Sequence, residues 1–190
     1  DLKAFSVNGL DGRFSMSGEP FGDRTTTASI SGTASANLDE ETASVSDLVA
    51  SFENLALTTN LSVQGFGETP TISGNLAIAE FSAVKLLERL GQPAIETKED
   101  DVLKRIALTT NIATEQQTVQ LRDFSLQLDD TVLKGTAGYG LDAGAISADL
   151  QGNKLNLDRY LPPKPEDDAE TADASEADTA DAGSGNGGAN

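Results

Sequence analysis

The run Phe124-Ser-Leu126-Gln-Leu128-Asp-Asp-Thr-Val-Leu133-Lys-Gly-Thr-Ala137-Gly-Tyr139-Gly-Leu141 decides the fold. From Phe124 to Leu128 the apolar side chains fall on even positions, and from Leu133 to Leu141 on odd ones. A period of two sends successive side chains to opposite faces, so each run is a strand with one greasy face and one wet face. Asp129-Asp130 between them reads as a turn, where Asp is favoured. Parallel strands covered on both sides would be apolar on both faces, so the pattern describes antiparallel hairpins.

The same alternation marks strands at 25–36, 55–63, 71–79, 106–113, 118–128, 131–141 and 145–151, with weaker strand character before 25 and around 43–52. Thr and Ser supply much of the wet side, and Thr suits a pleated, half-exposed surface because branching at Cβ restricts its rotamers in a helix. Parity slips between Val119/Leu121 and Phe124/Leu126, which predicts a bulge near Arg122-Asp123, the alternative being two strands joined by a kink there. Two helices are expected to interrupt the strands. Ser82 is placed to cap residues 83–90, with Gly91 and Pro93 as stop signals. Thr97-Lys-Glu-Asp100 resembles a capping box ahead of Val102, Leu103 and Ile106.

An imperfect repeat runs through the pattern. Leu55-Ala-Leu-Thr-Thr-Asn60 returns as Ile106-Ala-Leu-Thr-Thr-Asn111, and Ile72-Ser-Gly-Asn-Leu76 as Ile146-Ser-Ala-Asp-Leu150. The second copy is longer by about one hairpin, an insertion that preserves strand direction and apolar face.

Composition excludes much chemistry. The 190 residues carry 31 acids against 13 bases, a net charge of −18, with no histidine, cysteine or tryptophan. A His-based triad, a His- or Cys-ligated metal, a disulfide and a thiolate nucleophile are all ruled out, and no cofactor is expected. The negative field repels phosphate backbones, so nucleic acid is not an expected partner. No apolar stretch is long enough to span a membrane as a helix. After Leu161 there is no Leu, Ile, Val or Phe, and 165–190 holds eight acids (Glu166, Asp167, Asp168, Glu170, Asp173, Glu176, Asp178 and Asp181) and no base. The expected organisation is a β-rich unit over 1–163 and a disordered acidic linker over 164–190. The chain begins at Asp1 rather than Met, so a fragment or processed chain is expected, its targeting signal or anchor lying outside it.

So many one-sided strands exceed what two short helices can cover. Such a sheet closes into a sandwich or barrel, docks on a partner, or curls into a trough that receives something hydrophobic. Composition alone favours the sandwich. Leu128-Asp-Asp-Thr-Val-Leu-Lys-Gly135 followed by Ala148-Asp-Leu-Gln-Gly-Asn-Lys-Leu-Asn-Leu-Asp-Arg-Tyr-Leu-Pro-Pro163 resembles the AsmA family, as do Phe81-Ser-Ala-Val-Lys-Leu-Leu-Glu-Arg-Leu-Gly91 and Leu121-Arg-Asp-Phe-Ser-Leu-Gln-Leu128. The resemblance covers roughly residues 70 to 163, and Asn156 stands where the family's usual form has a second acid.

The resemblance implies an interior segment of a Gram-negative periplasmic protein, attached to the inner membrane by an anchor outside this chain. It implies a part in outer-membrane assembly and lipid homeostasis, with a curled sheet forming a hydrophobic groove for phospholipid transport. That shifts the expectation from sandwich to a long antiparallel meander curled into a groove. The expected function is non-enzymatic lipid handling, with Leu126, Leu128, Leu133, Tyr139, Ile146 and Leu150 as candidates to contact acyl chains. The alternative is an assembly module that recruits envelope proteins through an exposed strand edge. Asp129-Asp130 and Asp39-Glu40-Glu41 are expected to serve turns, and Asp158-Arg159-Tyr160 a local ion pair at a turn that Pro162 and Pro163 end.

Overall fold

The computed structural model describes residues 3–18, 21, 24–67 and 69–163; the expected acidic linker lies outside them. Nine strands follow one another: β1 (Ala4–Met16), β2 (Thr26–Asn37), β3 (Thr42–Phe52), β4 (Leu55–Gln64), β5 (Thr71–Phe81), β6 (Ile106–Glu115), β7 (Thr118–Leu128), β8 (Thr131–Gly140) and β9 (Ile146–Gly152). They form a single antiparallel sheet in sequence order, with β1 and β9 at its two edges. It is an open meander without a second layer: each strand packs chiefly on its neighbours in sequence. This is the antiparallel meander expected from the sequence, and the sandwich that composition alone favoured is set aside. Short turns make the meander possible; Gln116 and Gln117, both at positive φ (46° and 62°), close β6 onto β7 in the manner of a two-residue hairpin.

Register carries one apolar face across all nine strands. Phe14 pairs with Ala28, Ala28 with Phe52, and Phe52 with Leu55; farther along, Leu57 pairs with Ile78, Ile78 with Leu108, Leu108 with Leu126, and Leu126 with Leu133. The repeat is visible in space. β4 and β6 have the same exposure pattern residue by residue, and β5 follows β4 directly whereas the β7–β8 hairpin separates β6 from β9.

A transverse seam bends the strands near their middles. Register breaks fall between Val7 and Leu10, Ser31 and Thr33, Val45 and Leu48, Thr109 and Asn111, and Leu121 and Phe124, the last at the bulge expected near Arg122-Asp123. Asp47 and Asp123 lie on this line with φ 50°, and Gly32, Gly74 and Gly135 with φ 149°, 155° and 154°. At Gly74 and Gly135 a Cβ would run into the backbone carbonyls of Asn60 and Asp149, so only glycine lets the neighbouring strand approach. Bulges and glycine kinks in line give a sheet its curl.

The repeated Leu-Thr-Thr-Asn motif serves this seam. Thr59 and Thr110, both 5 % exposed, turn their hydroxyls onto the carbonyls of Asn75 (2.6 Å) and Arg122 (3.1 Å). On the polar face, Asn60 Oδ1 accepts the Asp47 amide (2.7 Å) and Asn111 Nδ2 donates to the Asp123 carboxylate (2.9 Å). Each Asn thus steadies a left-handed Asp on an adjoining strand.

Strand ends form the two rims. One is bare turns; the other carries helix α1 (Ala83–Arg89) and the connection 90–105. Ser82 caps α1 as expected, its Oγ accepting the Lys85 amide at 3.2 Å. Arg89 reaches Glu53 (3.0 Å) and Asn54 Nδ2 donates to the Ser82 carbonyl (3.0 Å), fixing the helix over the β3–β4 turn. The second expected helix does not form. Thr97 Oγ1 donates to the Glu99 carbonyl instead of capping a helix, and Leu103 adopts φ 59°. Tertiary acceptors take the amides that a helix would have paired internally: Lys98 bonds Leu161, Glu99 bonds Arg159, and Leu103, Lys104 and Arg105 all bond Asp129. A short 3-10 turn, Leu157–Tyr160, follows β9.

Candidate functional site

The candidate site is the apolar face. Among the described residues the only hydrophobic side chain that is fully buried is Val102, at 1 % exposure, and it belongs to the rim connection rather than to a strand. Face residues are half-buried or open: Phe14 is 55 % exposed, Phe5 49 %, Tyr139 49 % and Ile146 82 %. With strands spaced by about 4.8 Å, the nine-strand trough runs about 38 Å along the seam from β1 to β9.

All six residues singled out in the sequence lie on this face. Leu126 and Leu133 are direct cross-strand partners, Leu128 pairs with Thr131, Tyr139 pairs with Ile146, and Leu150 lies opposite Gly135. Leu126, Leu128 and Leu133 are half-buried, whereas Tyr139, Ile146 and Leu150 are exposed. They form only one end of the face. The other end holds a cavity of about 350 Å³ lined chiefly by Phe14, Ile30, Ala50, Phe52, Leu55 and Leu57, none of them among those candidates. Two alternating runs flanking Glu53-Asn54 signalled part of it. In β1 the parity of Phe5 and Val7 slips to Leu10 and Phe14 across Asn8-Gly9, which conceals the alternation.

A polar clasp at the rim positions this face. Asp129, 4 % exposed, accepts the amides of Leu103 (2.7 Å), Lys104 (2.9 Å) and Arg105 (3.0 Å) and the Tyr160 hydroxyl (3.1 Å). Burial pushes its carboxyl upward, but these donors outweigh that and hold it below the usual carboxylate range. Tyr160 is pushed up, first by burial and then by its hydrogen bond to the Asp129 carboxylate. Arg159 does not pair with its neighbour Asp158, as expected from the sequence. It instead reaches Glu99 (2.5 Å), Asp101 (3.1 Å) and Asp130 (3.7 Å), and these bonds raise its affinity for its proton further. Asp130 also meets Arg105 at 2.5 Å. The expected turn role of Asp129-Asp130 is what the geometry shows, and Asp39-Glu40-Glu41 likewise occupies the β2–β3 turn, where Asn37 Oδ1 accepts the amides of Asp39 and Glu40.

Among the described residues no group of His, Cys, Asp or Glu side chains is arranged to hold a metal ion, and no helix is long and apolar enough to cross a membrane. The arrangement offers hydrophobic contact over a long, one-sided surface. Comparison of the chain with models of known families, with curated proteins and with solved structures finds no match.

Proposed function

We propose that this chain is an AsmA-like segment of a Gram-negative cell envelope that holds phospholipid acyl chains on the inner face of its curled sheet. In that reading it acts in the periplasm, attached to the inner membrane through an anchor outside this chain, and handles lipid in support of the outer membrane. The observation that carries it is the uncovered apolar face: nine strands contribute to it, yet no strand residue is a fully buried hydrophobe. Removing alkyl surface from water is worth about 0.8 kcal/mol per methylene, so a chain is retained by several weak contacts while remaining free to slide. One leaflet of a ~30 Å hydrocarbon core implies chains of about 15 Å, so a trough of about 38 Å accommodates two end to end. No covalent step is involved, and the clasp carboxylates serve structure.

Native mass spectrometry of protein purified without detergent tests this reading. Phospholipid should remain bound at one or two molecules per chain, and lipid-free protein in repeated preparations from lipid-replete cells would contradict it. The second reading, assembly through a strand edge, is favoured by one observation: all seven residues of β9 are exposed.

A further inference from the structure

The two edges of the sheet differ. β1 is interrupted by the bulge at Asn8-Gly9 and carries Asp11 and Arg13, devices that discourage pairing by other strands. β9, Ile146-Ser-Ala-Asp-Leu-Gln-Gly152, has no bulge, proline or lysine, and its single charge is Asp149. Its chain then turns back to the rim, where Asn153 bonds Val132 and Asp130, and leaves the outer side of β9 uncovered among the described residues. Residues 164–190 contain no Leu, Ile, Val, Phe, Tyr or Trp with which to extend the apolar face.

Bonding parity shows which groups are free. Gly140 bonds Ala145 at one end of the β8–β9 ladder and Asn153 bonds Val132 at the other, so odd positions of β9 bond inward to β8. The amides and carbonyls of Ile146, Ala148, Leu150 and Gly152 therefore point outward. Their side chains lie on the apolar face, since Ile146 pairs with Tyr139 and Ala148 with Ala137.

We propose that β9 is a self-pairing edge, with two copies joining β9 to β9 antiparallel about a two-fold axis normal to the sheet. Centring the axis on Ala148 pairs Ile146 with the partner's Leu150 and Ser147 with the partner's Asp149. A shift that centres it on Asp149 would set two carboxylates directly opposite each other, which is unfavourable. Centring on Ser147 would place Leu150 against a glycine. Copies in the same orientation would be joined β9 to β1 in parallel, because an odd number of antiparallel strands leaves both edges running the same way. The two-fold keeps the ladder antiparallel and the apolar face continuous, giving a trough of about 80 Å. Self-pairing gives the strand-edge reading a specific partner and does not depend on what fills the trough.

The native chain has no cysteine, so a single introduced thiol reports register without background. Under mild oxidation Ala148→Cys should give a disulfide-linked dimer, because directly paired Cα atoms about 5.5 Å apart fall within disulfide range, while Ser147→Cys should not. Sedimentation of the unmodified chain should show a dimer that tightens with salt as net charge is screened. Ala148→Pro, which removes an outward amide and leaves the β8 ladder its bonds, should weaken it at least tenfold. A dimer indifferent to Ala148→Pro, or cross-linking equally well from Ser147→Cys, overturns the proposal. A monomer whose Ile146 and Ala148 amides are protected from exchange by another polypeptide overturns self-pairing but keeps the edge reading, and a monomer with unprotected amides overturns both.

Discussion

Glutamate in place of Leu57 and Leu126 together is expected to abolish lipid retention while leaving the protein folded. Both side chains are half-buried on the apolar face, Leu57 in the wall of the β1–β4 cavity and Leu126 opposite Leu133. A carboxylate under an acyl chain must be desolvated without a partner, which costs several kcal/mol per charge and corresponds to more than a hundredfold loss of occupancy. Stability should fall far less. Each substitution forfeits cross-strand contacts worth about 0.2–1 kcal/mol, and the new charge stays in water when the trough is empty. Bound phospholipid per chain and the denaturant midpoint, measured on the same preparations, separate the two effects. A face that was in truth a closed core would reverse them, with the fold lost first.

Asp129→Ala is expected to produce the largest loss of stability, about 3 kcal/mol. The substitution leaves the amides of Leu103, Lys104 and Arg105 without their acceptor, and each buried donor left unsatisfied costs about 1–3 kcal/mol. Rim exposure lets some of them find water, which holds the sum near the lower end. Its pH dependence follows from the direction of the shift. Because the folded carboxyl titrates below its unfolded value of 3.8, its contribution is complete above that value and is lost as pH falls through the lower folded one. Denaturant titrations should therefore give a difference between parent and variant that is constant from neutral pH to about pH 5 and shrinks under more acid conditions. A difference that grew on acidification would mean that the carboxyl is protonated in the fold.

Most of the strands were legible because their alternation is undisturbed. From Leu55 to Leu61 and from Phe124 to Tyr139, each apolar residue that sequence parity sends to one face is on that face. Two things were concealed for physical reasons. The segment 97–105 has the local signature of a helix start, but Asp129, a turn residue 24 to 26 positions away, satisfies its amides and holds it extended over the rim. No local pattern announces a tertiary acceptor. The seam was visible only at Arg122-Asp123, since Asp47 occupies its left-handed position without the glycine that usually marks one. The six candidate contacts lie toward β9 because the family resemblance is confined to that half of the chain. The cavity between β1 and β4 is built by residues whose face is set by register across Asn8-Gly9 and Gly32.

Photo-crosslinking in cells tests most directly whether lipid fills the uncovered face. A photoreactive residue at Leu57 or Leu126 faces the trough, whereas one at Thr58 or Ser125 projects from the opposite side of the same strands. Phospholipid adducts are expected at the two leucine positions and none at the two polar ones. Protein adducts at Leu57 and Leu126, or lipid labelling that ignores the face, would contradict this expectation.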